Sequence, residues 1–277
     1  MLYDMIKKAE MRTKMKVAER QNYIIDRAMS AGFVSKVDVA AELGVSVETI
    51  RRDISELCAR KVLRRVKGGA APIKDLVRRD AMYRSRVHQL KDERVAIGRT
   101  AAALIRDNDI IAIDSGTSTQ SIADAVTGVR NVTFVTDSLP SALMLYNKID
   151  SGEITGRVIV IGGEMNCDRC TAGAMADDLI GQFFFDTAFI CCSALSAQCV
   201  SSFNLDLCLF SKHLLKQTNN AVLVAESDKI GKNSLYGFAT LTDFSTIIVD
   251  DKQHMTPEMM KIIEDNRIEL IVAKRRG

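Results

Sequence analysis

Residues 110–120 read IIAIDSGTSTQ: a short apolar run, then an acid, and then a glycine set among four hydroxyl residues. An apolar run of this length bounded by turn residues predicts a strand buried on both faces, and a helix is expected after SGTST. Gly116 would present backbone N–H groups there, and Ser115, Thr117, Ser118 and Thr119 would add hydroxyls beside a helix N-terminus. That combination suits a cluster of anionic oxygens such as a phosphate. Asp114 is suited to accept hydrogen bonds from sugar hydroxyls. The same cluster also suits a plain helix cap, because Ser and Thr are favoured at that position.

The pattern around this stretch repeats. Strands are expected at DIIAID, NVTFVT, RVIVIGG, TAFICC, AVLVAE, STIIVD and IELIVA, separated by helices such as ERVAIGRTAAALI, SLPSALMLY, AMADDLIGQFF, LDLCLFSKHLLKQ and PEMMKIIEDN. Short, continuously apolar strands alternating with helices imply a parallel sheet covered on both faces, whose ligand sits outside the carboxyl ends of the strands. Four polar segments fall at such ends: DSGTST at 114–119, TDS at 136–138, GGE at 162–164 and ESDK at 226–229. Lys229 would supply a point charge for the anion, and Asp137 a second acceptor for hydroxyls.

The front of the chain has a different character. Residues 1–90 carry 20 Lys and Arg against 11 Asp and Glu, whereas residues 91–277 carry 18 against 24. A basic segment is drawn to a polyanion, which makes nucleic acid its first expected partner. Within it, ERQNYIIDRAMS predicts one amphipathic helix and VDVAAEL a second; Gly44 permits a tight turn and Ser46 caps a third helix, with Val47, Ile50, Ile54 and Leu57 as its apolar positions. Helix, glycine-bearing turn, helix is the helix-turn-helix arrangement, in which the second helix enters the major groove of double-stranded DNA. Its outward residues would be Glu48, Thr49, Arg51 and Arg52, the arginines able to pair bidentately with guanine. KVLRRVKGGA then predicts a two-stranded wing around a tight turn whose Arg64, Arg65 and Lys67 follow the phosphate backbone, with Gly68 and Gly69 allowing close approach. A charged helical protein-interaction domain is the alternative for the same pattern.

Seven cysteines, an odd number without an export signal, imply reduced thiols, and the expected compartment is the cytoplasm. No apolar run is long enough to span a membrane as a helix. The CDRC at 167–170 lacks the second cysteine pair or nearby histidines of a zinc site, so no metal and no cofactor is expected; His88, His213 and His254 are unaccompanied by a nucleophile elbow.

SVETIRRD followed by RVKGGA resembles the winged helix-turn-helix of the DeoR family of bacterial transcriptional regulators, and the resemblance continues through nearly the whole chain after residue 16. It implies an α/β protein: an N-terminal winged helix-turn-helix over 17–74, then a parallel-sheet α/β domain over 75–277 similar in fold to ribose-5-phosphate isomerase. It implies a DNA-binding, homo-oligomeric repressor of carbohydrate metabolism genes, controlled by a phosphorylated sugar or related metabolite and not an enzyme. Carried over by motif, Ser46, Glu48, Thr49, Arg51, Arg52, Arg64, Arg65, Lys67 and Gly68 face DNA. Asp114, Ser115, Gly116, Thr117, Ser118 and Thr119 hold the phosphate end of the effector. Thr136, Asp137, Ser138, Gly162, Gly163, Asp206 and Lys229 line the remainder. The chain departs from the family pattern in four places: Asp137 stands for a frequent Asn, CCSALS replaces a glycine-rich stretch at 191–196, VSSF stands at 200–203, and Glu226 replaces an Asp, with Asp228 added beside Lys229. A sugar-phosphate isomerase with a fused DNA-binding segment is the alternative reading, with Asp114, Asp206 and Lys229 as its chemical groups.

Overall fold

The computed structural model describes residues 17–31, 33–60, 62–72, 91–166, 168–252 and 255–275. The chain divides into two compact units that part between residues 88 and 89. The boundary expected near residue 75 and the charged connector that follows it fall on residues 73–90, outside the described residues.

The first unit runs α1 (Val17–Ala31), β1 (Val34–Ser35), α2 (Lys36–Leu43), α3 (Val47–Ala59), β2 (Leu63–Val66) and β3 (Gly69–Pro72). Its local starts and stops follow from single residues. The Ser35 hydroxyl accepts the Asp38 N–H and opens α2, and the Ser46 hydroxyl accepts the Thr49 N–H and opens α3. Between them Gly44 takes a left-handed φ of 67° and donates its N–H to the Ala40 carbonyl, a conformation that disfavours a residue with a Cβ. Ile24, Ala28, Val39, Ala40, Ile50, Ile54, Leu57 and Leu63 close a small core.

Two details of this unit differ from the expected pattern. Val47 is largely exposed, because the first residue of α3 lies outside its buried stripe. Asp53 is buried instead, gripped by the Arg20 guanidinium, which ties α1 to α3. The wing also has three strands. β2 and β3 pair antiparallel around a two-residue turn of Lys67 and Gly68, and β1 joins the other edge of β3.

The second unit opens with α4 (Lys91–Ala102) and β4 (Ile110–Ile113), followed by α5 (Thr117–Ala125), β5 (Val132–Thr136), α6 (Leu139–Asp150) and β6 (Gly156–Val160). A hairpin of β7 (Glu164–Met165) and β8 (Thr171–Ala172) leads to α7 (Ala174–Ile180), β9 (Phe185–Cys191), β10 (Ala194–Leu195), β11 (Val200–Ser202) and α8 (Leu205–Lys216). The rest is β12 (Thr218–Ala225), β13 (Tyr236–Ala239), β14 (Thr246–Asp250), α9 (Pro257–Asp265) and β15 (Glu269–Ala273). All seven expected strands pair in parallel in the order β15-β14-β12-β9-β4-β5-β6.

Alternate residues along the strands supply two separate cores. Ile111, Ile113, Phe134 and Phe189 pack with Ile97 of α4 and Ile122 of α5, while Ala112, Val135, Ile190 and Leu223 pack with Ile180, Phe210 and Met259 of α7, α8 and α9. Double burial explains why these strands read as unbroken apolar runs. Chain order runs outward from β4 through β5 to β6, and outward in the other direction from β9 through β12, β14 and β15. The sheet therefore changes direction between β4 and β9, the place beyond whose carboxyl ends sheets of this kind generally hold a ligand.

Candidate nucleic-acid interface and effector site

On the first unit, Glu48, Arg51 and Arg52 are exposed on α3, with Ser46 exposed at its start and Thr49 half-buried behind it. Burial of Ile50, Ile54 and Leu57 on the opposite side forces this presentation. Arg51 Nε and Nη2 both donate to the Glu48 carboxylate at 2.7 Å, and Arg52 Nε lies 3.7 Å from it. The Arg51 hydrogen bond holds the Glu48 carboxyl below its ordinary value. On the wing Arg64, Arg65, Lys67 and Gly68 are exposed, and the Arg65 guanidinium donates to the Ser55 hydroxyl, which pins β2 to α3. A solvent-exposed ion pair is worth about 1 kcal/mol or less, so a phosphate or a guanine edge can take Arg51 from Glu48 at small cost.

On the second unit the strand ends bring together two groups. The first is ionic. Ser118, in the first turn of α5, donates to both Glu226 oxygens at 2.8 and 2.9 Å, and Arg94 Nε of α4 donates to the same carboxylate at 2.8 Å. Lys229 pairs with Glu226 and donates to Ser118 Oγ at 3.0 Å. Burial pushes the Glu226 carboxyl up, but Lys229, Arg94 and Ser118 outweigh it and hold it at about 2. Burial lowers the Lys229 ammonium, and Glu226 reverses that and raises it to about 12. Nothing caps α5 through a side chain, since Gly116 occupies its N-cap. The positive end of the helix dipole therefore adds to the two cations.

The second group is acidic and wholly buried. Asp114 follows β4 and accepts from the Ser115 N–H at 2.8 Å, the Ser211 hydroxyl at 3.0 Å and the Cys191 N–H at 3.4 Å. Asp137 follows β5 and is 0% exposed; among the described residues neither carboxylate oxygen has a partner at full hydrogen-bonding geometry, though the Ser115 hydroxyl and the Cys170 thiol lie near enough to lower its carboxyl. Burial pushes Asp114 up to about 7, opposed by its hydrogen bonds, and pushes Asp137 well above the ordinary carboxylate range with the Asp114 charge adding to it. The hairpin of β7 and β8 covers this pair, for the Thr171 N–H donates to the Asp137 carbonyl at 2.9 Å and the Leu139 N–H to the Arg169 carbonyl at 3.1 Å.

The acidic pair sets a pH dependence. A carboxyl whose folded pKa is raised stays protonated in the folded chain after the unfolded chain has lost its proton, so stability falls as pH rises from about 4 toward the folded value. The pair titrates as a unit, and stability is expected to decline between about pH 4 and pH 7 and above. Asp137→Asn removes one member. It should be more stable than the parent at pH 8, and the two should converge at pH 4. Urea unfolding at both values checks this, and an equal gap at the two would remove the assignment.

Gly116 has a steric reason to be glycine. A Cβ there would lie 2.4 Å from Cys191 Sγ, where the ends of β4 and β9 approach. Gly116→Ala should cost about 1–3 kcal/mol through overpacking, and Cys191→Ala in the same chain should recover most of it. Additive losses in thermal unfolding would place the strain elsewhere.

A family model described as the DeoR C terminal sensor domain matches residues 89–251, and one described as the DeoR-like helix-turn-helix domain matches residues 20–75. The chain belongs to the DeoR family. Its helix-turn-helix and its sensor domain make it a DNA-binding transcriptional regulator. It is 30% identical over 76% of its length to an uncharacterized HTH-type transcriptional regulator of Staphylococcus epidermidis, of which it covers 83%. It is 26% identical to the glycerol-3-phosphate regulon repressor of Escherichia coli, covering 92% of this chain and 99% of that one. Among solved structures it overlaps ribose 5 phosphate isomerase A from Neisseria gonorrhoeae with a TM-score of 0.36 at 15% identity, over 52% of this chain and 54% of that one.

In this DeoR-family sensor domain the structure brings Asp114, Ser115, Gly116, Thr117, Ser118, Asp137 and Lys229 to the carboxyl ends of neighbouring strands. Several of the hydroxyls turn inward: Thr119 donates to the Gly116 carbonyl, the Thr136 hydroxyl accepts the Ser138 N–H, and Ser138 caps α6. Gly162 and Gly163 are exposed beyond β6. Asp206 is exposed in the first turn of α8, where its charge acts on Asp177. Arg94 and Ser211 were missed by sequence reasoning. Arg94 had left a signal, since it sits three and seven residues before the buried Ile97 and Ala101 and so on the apolar stripe of its helix. The six described cysteines are all free, and no described cluster of His, Cys, Asp and Glu could hold a metal; Cys167 of CDRC lies outside the described residues. Among the described residues no helix is long and apolar enough to cross a membrane.

Proposed function

We propose that this DeoR-family protein represses carbohydrate metabolism genes as a cytoplasmic homo-oligomer, and that a phosphorylated sugar or related metabolite sets its affinity for operator DNA. The observation that carries the effector half is the Arg94, Ser118 and Lys229 donor set at the uncapped start of α5, at a strand end beside the buried carboxylates. Donors of that kind suit the anionic end, and Asp114 with Asp137 suits the hydroxyl end. The Escherichia coli relative, named a glycerol-3-phosphate regulon repressor, supports the same class of ligand. Exposed Arg51, Arg52, Arg64, Arg65 and Lys67 face the operator, with Ser46, Glu48, Thr49 and Gly68 setting the helix and wing. The Asp114 carboxylate is engaged by three donors and 2% exposed, which supports sensing over turnover.

The full chain tests this. Folded protein should retain promoter fragments at low ionic strength, with affinity falling steeply as salt rises. One member of a panel of sugar phosphates should then change that affinity without being consumed. Folded protein that ignores DNA at low salt would overturn the regulator reading, and turnover of a sugar phosphate without any effect on DNA would favour the isomerase.

A further inference from the structure

We propose that Glu226 is an internal stand-in for the effector's anion, and that the effector enters by displacing its carboxylate from Lys229 and Ser118. The inference rests on reading this cluster as the anion site. A carboxylate and a phosphate compete for the same donors, and here the donors already converge on a carboxylate. Ser118 reaches both Glu226 oxygens, Arg94 reaches one, and Lys229 bonds Glu226 and Ser118 together. Glu226 is 2% exposed, and its single charge faces two cations and the N-terminus of α5. Asp228 also lies beside Lys229, so donor type rather than net charge decides: a guanidinium, an ammonium and a hydroxyl suit a phosphate as well as a carboxylate. Lys229 keeps 18% of its side chain in contact with solvent, so the cluster is nearest the surface at that residue.

The geometry gives Glu226 a route out. It follows the last residue of β12 and precedes the short 3-10 turn Ser227–Lys229, so its backbone is the hinge between a rigid strand and a turn. The turn is held independently: the Ser227 N–H donates to Asp250 at 2.7 Å and the Gly231 N–H to the Leu195 carbonyl at 2.8 Å. A rotation of the Glu226 side chain therefore need not move Lys229. It would change what Arg94 bonds, and Arg94 lies in the first turn of α4, the first described element of the second unit. Occupancy of the anion site is thereby written into the start of that helix.

Competition predicts that weakening the stand-in strengthens the ligand, because apparent affinity rises with the fraction of molecules whose site is open. Inorganic phosphate, titrated calorimetrically into the full-length protein, is the probe. Glu226→Asp keeps the charge and withdraws it by one methylene, and Glu226→Gln removes it. Both should bind phosphate about 10-fold more tightly than the parent, and adding Lys229→Met to either should abolish the gain. If Glu226→Gln does not fold, Glu226→Asp decides alone. Equal phosphate affinity in parent and variants, or weaker binding in the variants, would overturn the stand-in while leaving the anion site in place. No phosphate binding by any of these proteins would overturn both.

Discussion

Replacing Arg51 and Arg52 together with alanine should lower operator affinity by about 100- to 1,000-fold. Each bidentate arginine contact to a base is worth about 1–3 kcal/mol, and each lost phosphate contact flattens the salt dependence. The two side chains lie exposed on the side of α3 opposite Ile50, Ile54 and Leu57, so their removal leaves the core of the unit untouched. Glu48 provides the opposite-sign control. It holds Arg51 by two hydrogen bonds of 2.7 Å and places a negative charge on the exposed face of α3. Glu48→Gln should therefore strengthen non-specific binding at low salt, by a few-fold given the small worth of an exposed pair. Fluorescence anisotropy with operator and scrambled duplexes reads all three proteins. Unchanged affinity in the double variant would take α3 out of the groove.

Lys229→Met has the second large effect, and it falls on stability as well as on sensing. Glu226 is buried with an ionised carboxyl, and losing the ammonium leaves that charge with Arg94 and Ser118 alone. Breaking a buried pair from one side costs about 3–5 kcal/mol. The cost depends on pH in a definite direction. In the parent the depressed Glu226 pKa of about 2 contributes stability that is present above the unfolded value and lost as pH falls through the folded one. In the variant the same carboxyl shifts upward, so its burden is largest at neutral pH and fades as acid neutralises it. The stability gap between parent and variant should therefore narrow from pH 7 to pH 4. Urea unfolding measures it, and a gap that widens toward low pH would contradict the ion-pair account. The response of DNA binding to sugar phosphate should be lost in the same variant.

Much of the architecture was legible without coordinates, for local reasons. A strand buried on both faces must be apolar at every position, and all seven strands of the parallel sheet carried that mark. The turn between α2 and α3 was legible because only a glycine comfortably takes the φ found at Gly44, and the start of α3 because the Ser46 hydroxyl satisfies an amide three residues on. The short antiparallel pieces were not. β7 with β8, and β10 with β11 and β13, have strands of two to four residues, too short to show a period. α7 ended earlier than its apolar run implied, at Gly181, where the chain turns toward β9 and leaves Phe184 exposed.

Sequence alone determined which residue types stand at strand ends and helix starts, because those depend on neighbours within about four positions. It thereby placed Arg51 and Arg52 on an exposed face and set Asp114, Ser118, Asp137 and Lys229 at the edge of one sheet. Only the tertiary structure decided how those groups are paired: that Arg94, 132 residues before Glu226, bonds it, that Ser118 and Lys229 share the same carboxylate, and that Asp137 is buried within reach of the Asp114 charge. The reason is electrostatic. Charges a hundred residues apart acquire an energy only when the sheet sets them a few ångströms from one another and away from water, and no local pattern in the chain encodes that distance.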